Sequence, residues 1–319
     1  MDAYDRKLLT SLMGNSRQSY TQLAKHAALS RERVMYRIER LKEQRYINRF
    51  VTIIDHSRLG YEQYTIAIEL AKLGFQEEQQ LVHAVVTHPH FNWVGPSIGR
   101  WSLCCDVFAR DREDFARVWR SFLEKHEKHI AAYQVLPSRT LHTWFYKRVA
   151  DKPAIHVAPS KPHDVDEKDK QLLRILADNS RAQYTELSSK TALSANACKY
   201  RIKALERAGI IQGYTINVNH DAFGYEYCTV RLAALRNDAE LAKRLRAYVE
   251  QHPHVWFFYE YHPSGTIDFD VGFIYENTKE LREDLAGLRN AASGDFRIED
   301  AFLPVEQLSA HSLPPAVFK

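Results

Sequence analysis

Cysteine is scarce in this chain: four among 319 residues, Cys104, Cys105, Cys198 and Cys228, with no C-x-x-C spacing. That excludes a zinc ribbon and a disulfide framework and fits a reducing compartment. Cys104 and Cys105 are neighbours in an extended stretch, so they point to opposite faces and cannot clamp one ion together. Long apolar runs are missing too. No segment approaches about eighteen uncharged apolar residues, so no membrane span is expected. The opening "MDAYDRKLLTSL" is charged and lacks an apolar signal core, so the expected location is cytoplasmic. The chain has no phosphate-cradling glycine loop, nucleophile elbow, EF-hand or H-E-x-x-H. No catalytic residues, cofactor or metal are therefore expected. Charge of one sign does not dominate either: 44 basic against 40 acidic residues leave +4, so the placement of charge matters more than its sum.

What the chain does have is a long repeat. "NSRQSYTQLA" begins at Asn15 and "NSRAQYTELS" at Asn179, an offset of 179 − 15 = 164. At that offset Asp5 meets Asp169, Leu8-Leu9 meets Leu172-Leu173, and Tyr36-Arg37-Ile38 meets Tyr200-Arg201-Ile202. Gly60-Tyr61-Glu62 meets Gly224-Tyr225-Glu226, His88-Pro89-His90 meets His252-Pro253-His254, and Asp106-Val107 meets Asp270-Val271. Solenoid repeats run about 20–50 residues, so a period this long is a duplicated module. "DKPAIHVAPSKPHDV" (Asp151–Val165), with three prolines and no helical period, reads as the linker between copies.

Each copy has two textures. The first is helical and charged: Leu8, Leu9 and Leu12 share a face, Thr21 is placed to cap "QLAKHAA", and Ser30 to cap "RERVMYRIERLKEQ". In that last helix Val34, Ile38 and Leu41 form the inward stripe, repeated as Cys198, Ile202 and Leu205. Three helices with a short turn before the third is the helix-turn-helix signature. The second texture runs β-α-β-β-α-β, from "YTIAIEL" through "RWSLCCDVFA" to "AAYQVLPSRTL", and again from "YCTVRLAAL" to "DFRIEDAFLP". That order is the ferredoxin-like pattern. The expected fold class is α+β, two tandem units, each a winged-helix-like helix-turn-helix followed by a ferredoxin-like βαββαβ domain. The boundaries fall at 1–50, 51–150, 151–165 (linker), 166–214 and 215–319.

The words D-x-x-L-L, N-S-R, L-S and the R-I-x-x-L helix, present in "YDRKLLTSLMGNSRQSYTQLAKHAALSRERVMYRIERLKEQRYI" and its twin, resemble the leucine-responsive regulator/AsnC family of transcription regulators. The second copy keeps Gly209 where the first has Arg45. The resemblance implies a transcription regulator with double-stranded DNA as partner and a small-molecule effector, an amino acid or other metabolite. It implies an effector site at Gly99, Arg100 and Asp106 in copy one and Ser264, Gly265, Asp268 and Asp270 in copy two. It also implies ferredoxin-like domains paired through their sheets, either within the chain as a pseudo-dimer or between chains as a homo-oligomer. The stretches "GPSIGRWSLCCDV" and "HPSGTIDFDV" depart from the family's glycine followed by Asp-Tyr, and they differ from each other.

In a helix-turn-helix the second helix of the motif enters the major groove tip first. From Ser30 to Arg45 the first copy carries six basic residues against three glutamates, 6 − 3 = +3; from Ser194 to Gly209 the second carries four against one, 4 − 1 = +3. Arg31 and Arg33 suit guanine, whereas Asn196 between two alanines suits adenine and thymine methyls, so two unlike half-sites are expected. Tyr36, Arg37, Arg40, Lys199, Tyr200, Arg201 and Lys203 complete the expected DNA-facing set. For Arg37 and Arg201 the competing assignment is phosphate or a salt bridge. Tyr20 and Tyr184 either reach phosphate or staple a helix start, and Arg17 and Arg181 bond across to an acidic residue. His-Pro-His reads as a turn before a strand rather than a metal site. Two alternatives stay open: an enzyme like the sirohaem decarboxylases, which share this architecture, with His88, His90 and Arg100 as its residues; or an architectural DNA-binding protein.

Overall fold

The computed structural model describes residues 1–144, 147, 155–235, 239–263, 266–308 and 311–319. The first unit runs α1 (Ala3–Gly14), α2 (Tyr20–Ala27), α3 (Arg31–Glu43), β1 (Ile47–Ile54), β2 (Glu62–Leu70), α4 (Phe75–Thr87), β3 (Phe91–Ile98), β4 (Leu103–Ala109), α5 (Arg112–His126) and β5 (Ile130–Thr143). After the short β6 (Ile155–Val157), the second repeats it as α6 (Glu167–Asp178), α7 (Tyr184–Thr191), α8 (Ala195–Arg207), β7 (Ile211–Val218), β8 (Glu226–Ala234), α9 (Ala239–Gln251), β9 (Val255–Tyr261), β10 (Phe269–Tyr275), α10 (Thr278–Ala291) and β11 (Phe296–Pro304). The chain is thus two tandem α+β units. Of the linker, residues 151–154 lie outside the described set. Its later part is held in place: the His163 amide donates to the Arg58 carbonyl and Ser160 Oγ meets Ser57 Oγ at 2.7 Å.

The helical parts form as their patterns dictate, with one correction. Ser30 and Ser194 cap α3 and α8, accepting from the Arg33 and Ala197 amides. The cap of α2 is Ser19 rather than Thr21: Ser19 and Gln22 bond reciprocally as a capping box, two residues earlier than expected. The second copy has Gln183 at that place, with no side-chain cap bond.

The two copies pair with each other. β1 and β7 form an antiparallel ribbon, Phe50 opposite Ile216, running straight through the expected boundaries at 50/51 and 214/215. The cores cross over as well. α1–α3 bury Leu8, Leu9, Ile38 and Leu41 with Ile216 and Val218 from β7 and Ile274 from β10, while α6–α8 take in Ile54 from β1.

The ferredoxin-like sheets close on one another. Hydrogen-bonded neighbours run β2-β4-β3-β11-β8-β10-β9-β5, and β5 returns to β2, so eight strands make a continuous ring. The first copy's β3 meets the second's β11, and its β5 meets the second's β9. The two sheets thus pair within the chain as expected, facing each other across the Gln63–Tyr259 and Arg231–Cys104 contacts and joined edge to edge at β3–β11 and β5–β9. Strand alternation then sorts residues. Leu103, Cys105 and Val107 pack outward under α4 and α5; Val230, Leu232, Val271 and Phe273 pack under α9 and α10. Thr65 of β2, and Asp106, Arg231 and Asp270 on the opposite faces of β4, β8 and β10, are buried as polar residues inside the ring.

Arg45 sits just past α3 with φ of 59°, and its twin Gly209 has φ of 69°. Left-handed backbone costs an L residue about 1–2 kcal/mol, of which glycine's greater unfolded-state freedom offsets part. Arg45→Gly should therefore raise stability by about 1 kcal/mol in urea unfolding. Gly209→Ala should lower it, because a φ of 69° strains any L side chain there.

Candidate nucleic-acid interface

The twin turns "NSR" are the hinge of the interface. Ser16 and Ser180 are buried and their Oγ atoms lie 2.6 Å apart. Arg17 Nη1 donates to the Ser180 carbonyl at 2.5 Å, and Arg181 Nη1 returns the bond to the Ser16 carbonyl, also at 2.5 Å. The expected acidic partners are thus replaced by carbonyls of the opposite copy, because the turn faces its own twin. The backbone repeats the reciprocity: the Ser16 amide donates to Tyr214 and the Ser180 amide to Phe50. Arg181 lies 4.7 Å over the Tyr20 ring and Arg17 5.4 Å over Tyr184. Those half-buried tyrosines serve the joint between the copies.

α3 and α8 are held against this joint with their apolar stripes inward and their tips outward. Val34, Ile38 and Leu41 are buried, as are Cys198, Ile202 and Leu205. Arg31, Arg33, Tyr36, Asn196, Lys199, Tyr200 and Lys203 are exposed, Tyr36 at 67% and Tyr200 at 70%. Three other expected DNA contacts are engaged within the fold. Arg37 bonds Asp2 at 2.8 Å and Asp5 at 2.7 Å, and Arg40 bonds Asp5 at 2.7 Å. Arg201 bonds Asp166 at 2.8 Å and Asp169 at 3.0 Å. These guanidiniums clamp the outward helix to the N-terminus of α1 or α6, where the carboxylates also cap. The Asp5 amide holds the Asp2 carboxyl below its ordinary value, with Arg37 adding to the effect.

The expected effector residues are scattered. Gly99 and Arg100 form an exposed hairpin tip, with Arg100 over the Trp101 ring at 4.6 Å. Asp106 lies inside the ring, accepting from Thr65 Oγ1 at 2.8 Å, and burial pushes its carboxyl up to about 7. Asp270 is buried beside Arg231, Nε to Oδ2 3.5 Å, and accepts from Tyr261. Asp268 accepts from the Ala234 amide, a bond within the sheet. Ser264 and Gly265 lie outside the described residues. The copies' interiors differ by a charge, since Ala67 stands where the second copy has Arg231.

Between the β1–β7 ribbon and the ring opens a cleft of about 1380 Å³. Of the expected effector residues that are described, Asp106 alone lines it, joined by Gln63, Trp93, Tyr227 and Tyr259, with Lys42 and Arg45 from the end of α3. Gln63 donates to the Tyr259 hydroxyl at 2.7 Å across the two copies. The alternation of β2 puts Gln63 and Thr65 on one face, a signal the sequence carried.

The residues suggested for an enzyme do not converge. His88 packs on Phe91 and Phe122, and burial lowers its pKa to about 4. Arg100 follows the far end of β3 from His90, and a strand of eight residues spans roughly 26 Å.

Comparison with known proteins bears on the helical parts first. An AsnC-type helix-turn-helix domain matches residues 1–42, and a winged helix-turn-helix DNA-binding pattern matches 165–212. The HTH-type transcriptional regulator LrpA of Pyrococcus horikoshii is 38% identical over 86 residues, 26% of this chain and 61% of that protein. The chain thus spans about three-fifths of the length of such relatives. The leucine-responsive regulatory protein of Rhizobium meliloti is 31% identical over 125 residues, 38% of this chain and 76% of its own. The crystal structure of the siroheme decarboxylase NirDL superposes with a TM-score of 0.64 at 13% identity, covering 96% of this chain and 92% of that one. At that identity the likeness is one of fold alone.

His56 and its twin His220 line the cleft and are buried, against Phe108 and Trp256. Burial lowers both to about 4 from an ordinary value of 6.5, outweighing the pull of Asp55 on His56. Both are neutral in the fold at pH 7, and the unfolded chain takes up their protons first. The stability they contribute is full above about pH 6.5 and is lost as pH falls from there toward 4, on the order of 3 kcal/mol for each. Denaturant midpoints measured from pH 7 to 4.5 should fall accordingly, and less steeply in His220→Phe.

Proposed function

The chain belongs to the leucine-responsive regulator/AsnC family of transcription regulators, and from that premise we propose that it binds double-stranded DNA through two unlike helices, α3 and α8, held as an intramolecular pair. The observation that carries the reading is the reciprocal joint at Ser16 and Ser180, which locks two exposed cationic helix tips in one fixed relation. A homodimer of single units reads two equal half-sites. This chain offers Arg31 and Arg33 at one tip and Asn196 and Lys199 at the other, so its operator is asymmetric. Tyr36, Tyr200 and Lys203 flank those tips, while Arg37, Arg40 and Arg201 position the helices.

Domain division follows the same reading: helix-turn-helix parts at 1–50 and 166–214, ferredoxin-like parts at 51–150 and 215–319, linker at 151–165. A small-molecule effector, an amino acid or other metabolite, would act from the cleft beneath the ribbon, because β1 and β7 lead directly from α3 and α8. Asp106 and Gln63 are its polar anchors there. Action in the cytoplasm accords with this function. No described helix is long and apolar enough to cross a membrane.

Footprinting on an operator selected from random duplexes tests the reading. Arg31→Ala/Arg33→Ala should weaken binding at least tenfold and relax preference in one half-site, a good bidentate contact being worth about 1–3 kcal/mol. Asn196→Ala/Lys199→Ala should relax the other half-site. Wild-type protection by both variants would remove α3 and α8 from the interface, and coating of any duplex with a steep salt dependence alone would favour an architectural role.

A further inference from the structure

The His-Pro-His turn occurs in both copies with one geometry. It ends the helix before β3 or β9, and the second histidine's amide lies 3.3 Å from the first one's Nδ1, in His88–His90 and His252–His254 alike. The copies part company at the neighbouring helix. Asp111 caps α5 and Asn277 caps α10. Seven residues past each cap stand Val118 and Asp284, 111 + 7 = 118 and 277 + 7 = 284. Val118 is an ordinary core side chain. In the second copy the same place holds a carboxylate that is 5% exposed. Burying a carboxylate where a valine serves is unfavourable unless something of opposite charge meets it.

Two imidazoles meet it. His254 Nδ1 lies 3.0 and 2.9 Å from the two Asp284 oxygens, and His252 Nε2 lies 3.4 Å from Oδ1. All three donor groups fall within 4.8 Å of one another. Two ligands about 2.1 Å from a tetrahedral ion stand roughly 3.4 Å apart, so the Asp284 contacts of 2.9–3.4 Å need change by no more than about half an ångström to admit one. The far nitrogen of His254 supplies a further observation. Its Nε2 lies 3.3 Å from Glu280 Oε1. A proton on Nε2 shared with Glu280 leaves the Nδ1 lone pair directed at Asp284, an arrangement that calls for a proton or a cation between them. A carboxylate behind a histidine is the usual outer support of a metal ligand. Ligation by His252 through Nε2 moves that ring's proton to Nδ1, at the loss of the long contact from the His254 amide.

We propose that His252, His254 and Asp284 hold a divalent ion of the zinc class, with Glu280 orienting His254 and water completing the coordination. Two nitrogens and a carboxylate favour zinc, cobalt or nickel over calcium or magnesium. The histidines are 17% and 19% exposed, which leaves the ion a route from solvent. The first copy, with Val118 in place of the carboxylate, has no such site and serves as an internal control.

The full chain, stripped with a chelator and dialysed, is titrated with Co²⁺ and Zn²⁺ by calorimetry and visible absorption. One ion per chain is expected, with a cobalt d–d band that zinc displaces. Asp284→Val, which copies the first unit and so preserves packing, should abolish the band with an unchanged circular dichroism spectrum, and His254→Gln should weaken uptake at least tenfold. The chain has fifteen histidines, so adventitious uptake is the rival. Wild-type binding by both variants, or no uptake by the native chain, overturns the site. The test involves no DNA, so its result is independent of the function proposed above.

Discussion

The structure depends on one reciprocal contact, the pair of twin turns in which Arg17 caps the carbonyl of Ser180 and Arg181 caps that of Ser16. Each guanidinium bonds a backbone carbonyl of the other copy's turn, and the two serine hydroxyls meet at 2.6 Å. A bond of this kind requires two similar surfaces facing each other about a local two-fold, and the duplication supplies both in one chain. The ribbon β1–β7 follows from it, as does the crossing of the helical cores, since each helix-turn-helix leans on the opposite copy's strand. The eight-stranded ring repeats the logic: edge strands of one unit pair with edge strands of the other, β3 with β11 and β5 with β9.

A fused pair is free to become unequal in ways that a homodimer is not. The copies differ at the tips of α3 and α8, at Arg45 against Gly209, at Ala67 against Arg231 and at Val118 against Asp284. Each difference falls where symmetry would otherwise force both halves to accept the same residue. A guanidinium inside the ring is tolerable once, beside Asp270 and Cys104. Two facing each other across the axis would repel in a low-dielectric interior. The carboxylates that clamp Arg37 and Arg201 are, by contrast, kept in both copies, because both outward helices need the same support.

Much of this was legible in the sequence. Helical and strand periods placed the elements to within a few residues, and Ser30 and Ser194 announced the start of the two outward helices. The Ser19–Gln22 capping box is present in the sequence, but the repeat favours Thr21 as the cap, since it recurs as Thr185 whereas Ser19 is replaced by Gln183. The partners of Arg17 were hidden, since main-chain carbonyls more than 160 residues away carry no side-chain signature. Asp5 and Asp169 matched between copies, but their pairing with Arg37 and Arg201 appears only when α1 packs across α3. Asp284 is hidden in the repeat because two extra residues before α10 shift the offset from 164 to 166, 277 − 111 = 166, and mask Val118 as its counterpart.

The central claim is that the two units pair within one chain. Ser16→Cys/Ser180→Cys tests it most directly, because these side chains already touch and a disulfide needs sulfurs about 2.05 Å apart. Oxidised at low micromolar concentration and run without reductant, the variant should yield a cross-linked species of single-chain mass, independent of protein concentration. A cross-link that joins two chains, or grows with concentration, would contradict the account.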